Sequence, residues 1–367
     1  FTVRNVKISE PWNVLHVAEV GGFRWEGRGS ATNVDGPNGV LIETSGASPS
    51  SGIFLSNVVI GGRAYGTGLT GFMVRGNVQT VLFYKCYVNT AKYGLVTDTL
   101  SGYAPLFIEA DFTVAERCSD IGFYLKYGGF LTFTRSRVLT SGNTSAGGTP
   151  GPGYHLGANL QGMCTFTECR VGSGGREGWI IYPSIARIVM LNCTANNCSL
   201  DSTGTYQGVY IGAHTEGLQI IGGLFGGNNF LRVSSPTQSY GIAVASGAQN
   251  VVIDGADVRG NVTAGMVDNG TGTMIRDCPG YVTRNKGTTT ATTTAGGVVT
   301  ITHGLASTPT NVDVVVIGAA GVGAIVARPV SVGNTTTFNA YVFTTTTGAA
   351  LASTSVTLHW SATMAQG

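Results

Sequence analysis

Acids, aromatic rings and a few cations are the side chains of this 367-residue chain whose types and spacing could do chemistry. Cleavage of a glycosidic bond by general acid and base or nucleophile needs two carboxyl groups, about 5–5.5 Å apart for retention or about 6.5–9.5 Å for inversion. Strands stacked at about 4.8 Å would bring acids on consecutive coils to that range. Glu177, Asp201 and Glu216 are the foremost candidates, with Asp98, Asp120 and Glu109 behind them. Each also reads as a solvated turn residue. Tyr124, His155, Tyr182 and Tyr210 offer amphipathic faces for sugar rings, or else a subunit interface. Lys126 stands among them. A lyase reaction, with proton abstraction beside a uronate, would need a base and a cation such as Lys126 or Arg176.

Other chemistries lack their residues. There is no GxSxG, HExxH or P-loop, and Gly318-Ala-Ala-Gly-Val-Gly323 reads as a turn because no helical pattern follows it. The seven cysteines are odd in number and irregularly spaced, without zinc-site or CxxC spacing. They read as reduced core thiols, in keeping with assembly in a reducing cytoplasm. No metal and no cofactor is expected. The net charge is +2 with no Lys/Arg cluster, so the electrostatic footprint for nucleic acid is missing. No apolar run suits membrane insertion. The chain opens in strand-like alternation, Phe1–Ile8, without a signal peptide. The expectation is a piece of something longer.

These side chains need a scaffold, and the sequence supplies a repeat. A glycine followed by alternating apolar residues recurs at Gly39, Gly71, Gly94, Gly122, Gly153, Gly178, Gly208 and Gly241, at spacings of 23 to 33 residues. About ten residues after each glycine comes a second short strand, such as Val81-Leu-Phe-Tyr84 or Leu131-Thr-Phe-Thr134, and then a third apolar position such as Val88 or Val138. Three short strands per repeat with no helical period predict the coils of a parallel β-helix, each burying its apolar face only by stacking on its neighbours. Alternation assigns the faces. One outward column reads Met73, Val96, Tyr124, His155, Ile180, Tyr210, Ala243; its neighbour holds Arg75, Asp98, Lys126, Gly157 and Tyr182. A buried corner column reads Cys86, Asp111, Ser136, Cys169, Cys193, Gly223, Ala256. The longest insertions, 140–152, 196–207 and 228–240, all precede a glycine strand, so they should line one edge. Loops on a rigid scaffold concentrate function, which places the expected site there, with Glu177 the nearest acid.

The pattern stops near Lys286, dividing the chain into a β-helix over 1–286 and an all-β domain over 287–367. The latter opens with a Thr/Gly tract, 287–297, a linker or an edge strand. Strands follow at Val298–His303, Asn311–Ile317, Thr335–Phe343 and Thr354–Trp360. From Thr288 on, its only charged residues are Asp313 and Arg328. A surface so uncharged suits burial between subunits. His303 and His359 read as packing residues.

The segments Cys278-Pro-Gly-Tyr281, Thr302-His-Gly-Leu-Ala-Ser-Thr-Pro309 and Leu358-His-Trp-Ser-Ala362 resemble the end of phage tailspikes, in which an N-P-G-Y exit from a pectate-lyase-like right-handed β-helix precedes a T-H-G-L-x-x-T-P trimerisation domain. Cys278 departs from the usual Asn. The resemblance implies a homotrimer in the virion, fixed to the phage tail or baseplate through an N-terminal part missing here. It also implies binding, and often depolymerisation, of a bacterial capsule or O-antigen polysaccharide. Three functions stay open: a glycoside hydrolase or lyase, a non-catalytic adhesin, and a structural appendage.

Overall fold

The computed structural model describes residues 2–4, 7–9, 15–18, 21–26, 29–34, 37–62, 68–140, 151–182, 186–226, 236–319, 325–331 and 334–364. They form two compact units, one of Phe1–Met274 with Cys278–Gly280, the other of Ile275–Asp277 with Tyr281–Gly367.

In the first unit each coil carries up to three strands, and strands of successive coils pair in parallel. Sheet A runs from Leu15–Ala18 to Ala264–Asp268 and sheet B from Thr2–Arg4 to Met274–Arg276. The two are joined through Leu106 and Gly129 into one 21-stranded sheet. Sheet C has eight strands, Lys7–Ser9 to Thr194–Asn196. Parallel crossovers within a sheet are right-handed, and the unit is a right-handed parallel β-helix. Its core is a stack of inward side chains, among them Phe72, Phe123, Tyr154, Phe166 and Trp179. The rings of Tyr154 and Trp179 lie 3.8 Å apart and nearly parallel.

The repeated glycine has a steric cause. A Cβ on Gly122 would meet Val138 of sheet C at 2.3 Å and the carbonyl of Gly153 at 2.7 Å; on Gly153 it would meet Val171 at 2.5 Å and the Gly178 carbonyl at 2.8 Å. Gly71, Gly94 and Gly178 repeat this pattern. Each glycine lets the next coil's backbone close over the sheet A–C corner.

The corner between sheets B and C uses a second device. One residue per coil has positive φ, including Lys85, Phe112, Arg135, Glu168, Asn192 and Asp277. The next side chain turns inward and donates to a carbonyl of the preceding coil: Cys86 to Leu55 O at 3.4 Å, Ser136 to Ala110 O at 3.1 Å, Cys169 to Phe133 O and Cys193 to Phe166 O at 3.3 Å. The inward residue of the coil between Cys86 and Ser136 is Thr113, which donates to Phe83 O, and not Asp111. Asp111 points outward and pairs with Arg135 at 3.0 Å. A two-residue shift preserves the parity of a period-two pattern, so alternation could not locate this corner. All seven cysteines are buried thiols.

The second unit has two three-stranded antiparallel sheets. In one, Ser355–Thr363 lies between Arg284–Thr292 and Asn311–Ala319; in the other, Thr337–Thr344 lies between Val298–Thr302 and Ile325–Ser331. The Thr/Gly tract therefore contributes an edge strand. Ile325–Ser331 was not expected, because Arg328-Pro329 interrupts its apolar run. It is an edge strand with a register shift between Pro329 and Ser331, a place where proline is tolerated. Residues 320–323 of the glycine-rich turn lie outside the described residues. His303 is fully buried. Its Nδ1 accepts from Leu305 N–H and its Nε2 donates to Asn334 O, each at 3.0 Å, fixing a turn.

Candidate functional site

The outward face of sheet A gathers most of the aromatic candidates. Its register aligns Val96, Tyr124, His155, Ile180, Tyr210 and Ala243 on successive coils. Five rings from five consecutive coils form a continuous run. Tyr93 lies 6.0 Å from Tyr124, Tyr124 4.8 Å from His155, His155 5.8 Å from Tyr182, and Tyr182 5.9 Å from Tyr210. Tyr124, His155 and Tyr210 share one register column, while Tyr182 lies two residues beyond it and Tyr93 three residues before it.

Beside this run opens a cavity of about 660 Å³, lined by residues that include Asp98, Tyr124, Lys126, His155, Tyr182 and His214. Its floor is a β-bulge. The pairing slips between Leu125 and Tyr127, so Gly157 passes the Lys126 backbone where a Cβ would lie 2.9 Å from its carbonyl oxygen. Lys126 Nζ donates to Asp98 Oδ2 at 2.9 Å and lies 5.0 Å from the centre of the Tyr124 ring. Burial opposes its charge, but the bond to Asp98 and that carboxylate's charge hold its pKa above the ordinary value. Burial, and then the nearby Arg176 charge, push His155 below the usual histidine range. A neutral imidazole results, able both to donate and to accept a hydrogen bond. Burial, and then the charge and hydrogen bond of Asp120, raise Tyr93 to about 12.

Asp98 apart, the candidate acids lie elsewhere. Glu177 precedes the sheet A strand Trp179–Ile181 and is 6% exposed. Arg176 Nε sits 3.3 Å from its Oε2, and the Arg176 guanidinium lies 4.7 Å from the centre of the Tyr206 ring. Burial raises the Glu177 pKa more than Arg176 lowers it. Asp201, in the insertion one coil later, is tied through its N–H to Gly175 O at 3.2 Å. Asp120 occupies the same amino-terminal edge. Its pKa is raised by burial, against the lowering effects of Tyr93, Lys92 and Arg176. Glu216 is exposed in the turn after Val209–Ile211, at the carboxyl ends of the sheet A strands. The three foremost acids therefore do not assemble: Glu177 and Asp201 share one edge and Glu216 stands at the other.

The cavity also lies at those carboxyl ends, away from the loop-lined edge where the site was expected. The described parts of the 196–207 and 228–240 insertions contact each other there. Thr237 Oγ1 donates to Cys198 O at 2.6 Å, and Gly204 N–H donates to Thr237 O at 2.6 Å. Ser199 and Gln238 are fully buried. Residues 141–150 and 227–235 of these insertions lie outside the described residues. His214 was not among the candidates. It sits in a turn with no periodic signal, whereas Asp98 was legible from its column.

No family model matches the chain, and no curated protein matches it. Solved structures similar to it include the A-module of mannuronan C-5 epimerase AlgE4 from Azotobacter vinelandii, 16% identical over 68% of each chain with a TM-score of 0.43. Another is the tailspike gp61 of Pseudomonas phage phi297, 13% identical over 94% of this chain and 68% of that one, TM-score 0.37. A third is the gp54 tailspike of Acinetobacter baumannii bacteriophage AP22, solved with A. baumannii capsular saccharide, 9% identical over 94% of this chain and 69% of that one, TM-score 0.33.

Proposed function

We propose that the outward face of sheet A binds a bacterial surface polysaccharide, and that the chain is the receptor-binding part of a phage tailspike. The observation that carries this is the five-ring run from Tyr93 to Tyr210 beside an open cavity lined by Asp98, Lys126, His155 and His214. Sugar rings present apolar C–H faces and a rim of hydroxyls. Aromatic faces suit the former, and Asp98, Lys126, neutral His155 and His214 suit the latter. A panel of purified capsular and O-antigen polysaccharides tests it. Wild type should retain one member, and Tyr124→Ala and Tyr182→Ala should each weaken that binding about tenfold or more, the loss of a stacked ring being worth roughly 1–3 kcal/mol in comparable base stacking. Retention of no polysaccharide, or undiminished binding by both variants, would overturn it.

A second reading, depolymerisation, is favoured by one observation. Asp120 and Glu177, at one edge of the same face, both have carboxyl pKa values raised by burial, as a general acid at neutral pH requires. In this reading Glu177 is the acid and Asp120 or Asp201 the partner carboxylate. Loss of reducing-end release in Glu177→Gln, with binding kept, supports it; full activity in Glu177→Gln, Asp201→Asn and Glu216→Gln excludes those three acids.

A further inference from the structure

Two phenylalanines take positive φ near the start of consecutive sheet B strands. At the corner where sheet A hands over to sheet B, most described coils place one residue at positive φ. Five of these are glycine (Gly22, Gly52, Gly162, Gly217, Gly272), and Asn250 and Thr80 fill two more. Phe107 and Phe130 fill the remaining two, at φ 55° and 54°. A bulky L residue is disfavoured there by clash of its Cβ with the backbone. Burial gives no compensation, since each is 46% exposed. The register puts them side by side on consecutive coils, and their rings stack at 5.0 Å with 12° between planes. Gly162 continues the ledge: a Cβ there would lie 2.9 Å from the Phe130 ring. A stacked aromatic pair left this exposed points to an interaction site.

Their position says what the function serves. Phe130 follows the cavity residue Tyr127 by three positions, and Gly162 follows the cavity residue Asn159 by three. Phe130 and Gly162 thus stand three residues along the chain from the cavity lining, toward the sheet B strands. We propose that the Phe107–Phe130 ledge is a second saccharide subsite. It packs a pyranose ring, as a side branch of the polysaccharide held on sheet A, against the pair of stacked rings. This rests on the polysaccharide-binding reading. The ledge carries no charge of its own, so it selects a ring with an apolar face over an acidic substituent.

Asparagine accepts positive φ more readily than phenylalanine, and the fold already uses Asn250 at this corner. The double variant Phe107→Asn/Phe130→Asn should therefore melt at or above the wild-type temperature while binding the polysaccharide chosen from the panel about tenfold more weakly. The branch-trimmed form of that polysaccharide should bind wild type and the double variant alike. Full binding by the double variant, with Tyr124→Ala impaired, overturns the ledge alone. A lower melting temperature makes the pair a structural feature and overturns it too. A changed sedimentation coefficient assigns the ledge to contact between copies of the chain and likewise overturns the subsite. If wild type retains no polysaccharide, both readings fall.

Discussion

His155 is the side chain whose ionisation most directly tests the sheet A face. Its folded pKa lies below the unfolded value because of burial and Arg176, so between the two values the unfolded chain holds more protons. Stability then falls as pH drops below about 6.5, the unfolded histidine value, and the loss is complete below the folded pKa. Glu177 has the opposite sign. Its folded pKa is raised, so the folded state holds the extra proton and its contribution diminishes as pH rises through that pKa. Melting curves of His155→Gln should lose the acid-side decline below pH 6.5 relative to wild type; an unchanged decline would place its origin in other groups. The cysteines give a second residue-scale test. Burial lifts Cys86, Cys118 and Cys198 to about 12, leaving almost no thiolate at neutral pH. Alkylation should label none of the seven thiols in the folded protein and all seven after denaturation without reductant, and a protected pair in the denatured sample would contradict this.

At the scale of the element, the fold depends on its corners. Gly122→Ala forces a methyl against Val138 and the Gly153 carbonyl, contacts that neither coil can relieve without opening the stack. The variant should lose about 1–3 kcal/mol of stability, as overpacked cores do, measured by denaturant unfolding; an unchanged midpoint would mean that the corner yields. Cys193 is more tolerant of one replacement. Its Sγ donates to a carbonyl where Ser136 does the same at its own coil. Cys193→Ser should therefore cost less than Cys193→Val, which leaves the Phe166 carbonyl unsatisfied at about 1–3 kcal/mol. The reverse order would show that the carbonyl finds another donor.

For the whole molecule, the expectation from sequence is a homotrimer, and the second unit offers a surface suited to one. The outward residues Val315 and Ile317 are more than half exposed on a face otherwise rich in threonine, with His359 and Thr288 bonded across it. Asp313 and Lys286 border these residues, and exposed apolar side chains are what a subunit interface would cover. Sedimentation of the intact chain should give a trimer, and Val315→Lys/Ile317→Lys should shift it toward monomer while the β-helix keeps its melting transition. A monomeric wild type, or an undisturbed trimer in the variant, would refute this role.

The repeat, the inward and outward columns and the burial of the cysteines are all legible in the amino-acid order. They follow from period-two alternation and from a glycine that recurs wherever one backbone must close on another. The same alternation puts Tyr124, Lys126, His155 and Tyr182 on one face, because columns in a stacked helix are set by register alone. Packing in three dimensions settles what parity leaves open: Thr113, not Asp111, turns inward, since a shift of two residues looks identical in the pattern. Packing also sets where the cavity lies, because a one-residue bulge opposite Lys126 shapes its floor at the carboxyl ends of the strands. And it stacks Phe107 on Phe130, a contact that exists only because consecutive coils bring the two rings together.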